Sequence, residues 1–174
     1  MKKLLRLFAA IDQIISFVIK PIVVVISLAV AFMLTLGIFT RTVLDTPIFG
    51  LEELALMGAM WLYMLGAVLA SRERTHLSAD FIQVICSNLK VINFMRLFAT
   101  AISLIMAVMF VTWSFDLVLW GVKKGQTTTV FQLPWFISQG SLFVASVLLV
   151  FYLSRDLLND FIQFMTPASN LKDK

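Results

Sequence analysis

A single cysteine, Cys86, and a single histidine, His76, stand in the 174 residues of this chain. One cysteine excludes an internal disulfide and a paired-thiol redox motif, and one histidine excludes a haem ligated by two histidines of the chain. Charge is equally scarce. Only 14% of residues are charged, where soluble domains carry roughly 25%, and 60% are hydrophobic, against roughly 45–50%. The mean hydropathy is +0.96. A chain of this kind lives in a bilayer. No G-x-x-x-x-G-K-[ST] stretch occurs to cradle nucleotide phosphates. The net charge of +4 does not argue for nucleic acid, because the basic residues sit at the ends of apolar runs rather than on one polar face. Nor does the sequence offer a nucleophile facing a base, so it assigns no catalytic, cofactor-binding or metal-ligating residue and predicts no enzyme.

What the chain has is apolar length. Residues 22–39, 51–70, 97–120 and 135–153 each approach or exceed the about twenty residues that cross a hydrocarbon core about 30 Å thick. Each run must be a helix, since a lone lipid-exposed strand leaves its amides unpaired. The predicted fold is an all-α integral membrane protein, one membrane domain over residues 1–174 with four transmembrane helices. Asp45, Pro47 and Gly50 punctuate the first turn, and Gly121, Gly125, Thr127 to Thr129 and Pro134 the last. Residues 1–20 read differently. On a helix, Leu4, Leu7, Phe8, Ile11, Ile14, Ile15 and Val18 share one face, while Lys2, Lys3, Arg6, Gln13, Ser16 and Lys20 share the other, which predicts an amphipathic helix lying in the interface. A cleaved signal peptide is the weaker reading, because Lys20 and Pro21 interrupt the run and apolar residues continue past Ala31 to Phe39. Phe81, Ile82, Val84, Ile85 and Leu89 suggest a second short interfacial helix. About twenty residues follow Leu153, too few for an attached ATPase.

Lysine and arginine set the expected orientation. Three of them, Arg41, Lys123 and Lys124, fall on one side of the membrane and the other eleven on the opposite side, so both termini and the middle loop are expected to be cytoplasmic. Trp113, Trp120, Phe131, Trp135 and Phe136 cluster near the outer boundary, where amphipathic rings favour the headgroup level. Trp61 and Tyr63 lie near the middle of the second span. They are read equally as buried against a helix or partner protein and as ordinary lipid-facing packing.

The stretch from Gly50 to Phe81 places Glu52 and Glu53 at the outer head of the second span and Arg72, Arg74 and His76 at its inner end. Carboxylates suit the positive end of a helix dipole and cations the negative end. Arg41 is at the same depth across a turn of about ten residues, which makes an ion pair with Glu52 or Glu53 geometrically accessible. A proton or sodium site is the competing reading of these acids, but such a site ordinarily lies near the midplane, and Glu52 and Glu53 are one turn from water. Asp116, one turn below Trp120, can snorkel towards Lys123 or Lys124. Ala55, Ala59, Gly66 and Ala70 allow close helix approach along the second span. The candidate subunit-contact or helix-orienting residues are therefore Arg41, Glu52, Glu53, Trp61, Tyr63, Gly66 and Asp116. Arg72, Arg74, His76 and Asp80 are candidates at the cytoplasmic edge, and Lys123 and Lys124 for docking at the outer loop.

With Arg41, the paired glutamates, Trp61, Leu65-Gly66-Ala67, the basic cluster, His76 and Asp80, and then "TTTVFQLPWFISQGSLF" from Thr127 to Phe143, the chain resembles the small membrane subunit of tripartite ATP-independent periplasmic (TRAP) transporters. The resemblance covers roughly Phe39 to Phe143, with the number of spans in agreement. It implies a bacterial inner-membrane protein in tight complex with a large multispan subunit that carries the substrate and sodium sites. It also implies a periplasmic binding protein that delivers an organic acid such as a C4-dicarboxylate, a keto acid or a sialic acid. The small subunit would extend the fixed scaffold and contact membrane lipids, with no cofactor of its own and no nucleic acid. A small four-helix proton-coupled exporter acting as a homodimer is the alternative, though it would want a glutamate deep in the membrane.

Overall fold

Where water cannot reach the backbone, every amide in an apolar run must bond within its own helix, and the four runs do so. The computed structural model describes residues 2–46, 48–73 and 89–165. In it α1 spans Lys2–Val43, α2 Leu51–Arg72, α3 Leu89–Lys124 and α4 Phe136–Met165. All four are long and apolar enough to cross a membrane. Among the described residues the nearest thing to a strand is one isolated bridge between Thr127 and Pro134. The expected all-α, four-span architecture is the one found.

Three helices overrun the spans that hydropathy draws. At about 1.5 Å per residue, the 22 residues of α2 measure about 33 Å, close to the hydrocarbon thickness. The 42 residues of α1, 36 of α3 and 30 of α4 come to about 63, 54 and 45 Å, so their ends must project into the headgroups or beyond. Helix α1 passes through Pro21 without a break, and residues 2–20 are continuous with the first span. Proline lacks an amide donor and crowds the carbonyl four residues back, but its φ is helical and its neighbours' hydrogen bonds persist where water does not compete. Helix α4 continues past Leu153 to Met165 because Leu157, Phe161 and Phe164 keep a helical apolar spacing after Arg155, Asp156 and Asp160 have lowered the local hydropathy. The short helix expected over Phe81 to Leu89 falls, except for Leu89, outside the described residues.

The helices pack in the order α1, α2, α4, α3, each against the next. The two central helices bury a far larger share of their apolar windows than α1 and α3 do. Ile19 of α1, Leu65 and Val68 of α2, and Ala145 and Tyr152 of α4 form the core, with Trp61, Met64 and Leu148 packed against it. Lipid tails are as apolar as leucine, so helices in a membrane associate through close packing and interhelical hydrogen bonds. The seam between α3 and α4 follows that rule. Ser146, fully buried on α4, meets Ser114 Oγ of α3 through its own Oγ at 3.1 Å. Close approach on α2 comes at Gly58, where an added Cβ would lie 2.7 Å from Val30 Cγ2 of α1, whereas a Cβ on Gly66 would meet nothing. Gly66, expected to bring helices together, makes no such approach within this chain.

Candidate functional site

At the end of the bundle shared by the start of α2 and the turn between α3 and α4, the turn folds on itself first. Thr128 N donates to Leu133 O at 2.9 Å, Leu133 N to Thr128 Oγ1 at 3.0 Å and Trp135 N to Gln126 O at 2.9 Å. That leaves the amides at the tip without ladder partners. Glu53, in the first turn of α2, supplies them: Val130 N donates to its Oε1 at 2.8 Å and Phe131 N to its Oε2 at 3.2 Å. One carboxylate thereby holds two successive amides from a segment 77 residues along the chain. Gly50 makes the approach possible. It caps α2 with φ of 93°, a conformation that favours glycine, and the Phe131 ring lies where its Cβ would be.

Glu52, on the neighbouring position, points elsewhere. It lines a cleft of about 170 Å³ together with Arg41, in the last turn of α1. The two charges share this cleft without reaching ion-pair distance, so the expected pairing of Arg41 with Glu52 or Glu53 is replaced by a latch from Glu53 to the loop and an open cleft beside it.

A second polar centre joins three helices at the opposite end of α2. Asp12 of α1 accepts a two-pronged bond from Arg72 of α2, Nε at 2.7 Å and Nη2 at 3.0 Å. Arg155 of α4 approaches the same carboxylate at 3.9 Å, donates to Arg72 O at 3.1 Å and pairs with Asp156 at 3.0 Å. Its guanidinium lies 5.2 Å from the centre of the Tyr152 ring. Further along, Thr100 of α3 donates to Asp160 of α4 at 2.8 Å. Planar guanidinium forks suit carboxylates in this way, and the arrangement clamps α1, α2 and α4 to one another. The sequence reading placed Arg72 at the cytoplasmic edge without naming a partner, took Arg155 only as a topological charge, and passed over Asp12. The available signal was an acid on the apolar stripe of α1, between Phe8 and Ile15.

The other candidates separate. Trp61 is half-buried against the core, while Tyr63 is 69% exposed and faces away from it. Asp116, Lys123 and Lys124 are all exposed on α3, and no ion pair joins Asp116 to either lysine. Arg74, His76 and Asp80 lie outside the described residues. Among the described residues, no three side chains of the His, Cys, Asp or Glu type converge as a metal site would require.

The model of the DctQ component of tripartite ATP-independent periplasmic transporters matches residues 30–163, which contain both the Glu53 latch and the Arg72–Arg155 half of the clamp. The chain belongs to the DctQ family. No curated protein matches it. Membership makes it the small subunit of a TRAP transporter and a multi-pass protein of the bacterial inner membrane, as the four apolar helices require. DctQ is a family of transporter components rather than of enzymes, and the tripartite name places a larger membrane subunit and a periplasmic binding protein beside it in general. Asp12 lies outside the matched residues, so the clamp joins the DctQ region to the segment that precedes it.

Proposed function

We propose that this chain is the scaffold subunit of a sodium-coupled TRAP importer of an organic acid, in the class of C4-dicarboxylates, keto acids and sialic acids. In this reading it holds the large transport subunit in the membrane, and the substrate and sodium sites belong to that subunit. Both termini lie in the cytoplasm, and the Glu53-latched loop faces the periplasm, where the binding protein docks. The observation that carries the proposal is a set of polar contacts that bridge the chain's own helices. Ser114 bonds Ser146, Thr100 bonds Asp160, and Asp12 bonds Arg72, each across an interface between the chain's own helices. Groups spent on holding helices together rigidify a bundle and leave little to line a solute path. The largely uncovered apolar lengths of α1 and α3 are surfaces against which a larger membrane subunit can pack.

The test is assembly followed by flux. The chain, affinity-tagged and co-expressed with the large subunit from the same operon, should recover that subunit, and proteoliposomes of the pair with the binding protein should take up substrate only with a sodium gradient. Glu52→Gln should leave the ratio of sodium to substrate unchanged. A chain that purifies as a homodimer and moves solutes by itself against a proton gradient would overturn the proposal in favour of an exporter.

A further inference from the structure

The cleft between the end of α1 and the start of α2 carries an inference that does not depend on the scaffold role. Arg41 is exposed at its rim on one helix and Glu52 on the other, opposite charges that face the same space without an ion pair between them. Each stands at the head of its own apolar wall. Leu34, Gly37 and Ile38 lie one and two turns below Arg41 on the same face of α1, and Ala55 lies one turn below Glu52. Gly37 is half-buried, and a Cβ there would meet nothing within 4 Å, so the groove beneath the charges is open rather than filled. The cleft therefore offers a cation and an anion at membrane-surface depth, above an apolar channel running towards the hydrocarbon.

We propose that this cleft binds a zwitterionic phospholipid with a primary ammonium headgroup, phosphatidylethanolamine in chemical class. Its phosphate lies on the Arg41 guanidinium, its ammonium donates to the Glu52 carboxylate, and one acyl chain runs past Gly37. Arginine presents the fork that phosphate oxygens accept. A carboxylate is best met by a cationic hydrogen-bond donor, which an ethanolamine head has and a choline head, cationic but without N–H, lacks. A glycerol head can donate O–H to Glu52 but brings no cation to it, so the phosphate charge and the carboxylate are left without a compensating ammonium. Charge complementarity thus selects one headgroup among the common bilayer lipids.

Native mass spectrometry of the full chain, with ethanolamine, choline and glycerol phospholipids of identical acyl chains added in turn, tests this. The unmodified chain should retain the ethanolamine lipid about tenfold more strongly than the choline lipid, the scale of one charge-assisted hydrogen bond. Glu52→Gln should abolish that preference, and Arg41→Gln should weaken retention of all three lipids. Gly37→Leu, which fills open space and favours the helix, should lower retention while leaving helix content unchanged. Equal retention of the ethanolamine and choline lipids by the unmodified chain, or a preference that survives Glu52→Gln, would overturn the proposal. So would a preference present in the isolated chain but absent from the complete transporter. A chain that fails to recover the large subunit yet keeps the lipid preference would count against the scaffold role and not against the lipid site.

Discussion

A single carboxylate shows what could and could not be read from residues alone. The place of Glu53 at the head of an apolar helix was legible, because acids favour that end of the dipole and the residue stands three positions after Gly50. Its partners were not. They are backbone amides 77 and 78 residues away, and an amide carries no mark in a sequence. Gly50 read as turn punctuation, when its second task is to leave room for the Phe131 ring. The two tasks can be separated. Gly50→Ala should cost about 1–2 kcal/mol for the left-handed backbone alone, with a further loss from the collision with Phe131. Adding Phe131→Ala should recover only the second part, as a rise in thermal midpoint in detergent that falls short of the parent protein. Glu53→Ala should speed hydrogen exchange at the Val130 and Phe131 amides while sparing the Trp135 amide, which bonds to Gln126 O. Unchanged exchange at the two tip amides would mean that the loop holds its shape without Glu53.

Helices as elements were legible in number and kind, and least so at their ends. Hydropathy reports how much of a helix can sit in hydrocarbon, whereas the helix itself stops where backbone bonding stops. The sequence-drawn span of α4 ends at Leu153, but its regular spacing of apolar residues carries it to Met165. That extension matters, because Arg155 and Asp160 lie beyond Leu153 and hold neighbouring helices, with Asp156 pairing Arg155 on the same helix. The Asp12 and Arg72 side chains are 16% and 23% exposed, between the surface pairs that contribute little and the buried pairs whose breakage is severe. Asp12→Asn should therefore cost between about 1 and about 3 kcal/mol, and a double-mutant cycle with Arg72→Gln should show coupling well above that of an exposed pair. Arg155 would still approach the remaining polar group, so the coupling should be partial. At the α3–α4 seam, Ser146→Leu drives a large side chain into a position with no exposure and should cost about 1–3 kcal/mol by overpacking. Gly66→Ala, which points into open space, should be tolerated within this chain and should lose stability only if the large subunit packs there.

For the molecule as a whole, the balance of charge and the internal clamp make different demands on the same arginines. On the proposed topology Arg72 and Arg155 contribute to the cytoplasmic excess of lysine and arginine, yet the structure commits both to Asp12 and its neighbours. Orientation is decided during insertion, when side chains are counted before tertiary pairs form, so both residues still act in that count. The bias does not rest on them, because the lysines and arginine at positions 2, 3 and 6, with Lys20, Lys90, Arg96 and others, remain on the same side. Arg72→Gln combined with Arg155→Gln should loosen the clamp without inverting the protein. Single-cysteine labelling in a Cys86→Ser background measures this directly. Sites placed at Asp45 and Gly125 should react with an impermeant maleimide in intact cells, and sites placed at Glu73 and Gln163 only after permeabilisation, in both the parent and the double arginine variant. Labelling of Glu73 from outside in the parent would reverse the topology and place the Glu53-latched loop in the cytoplasm, where a periplasmic binding protein cannot reach it. Inversion in the double variant alone would show that the clamp forms early enough to direct insertion, and that the charges it uses are not spare.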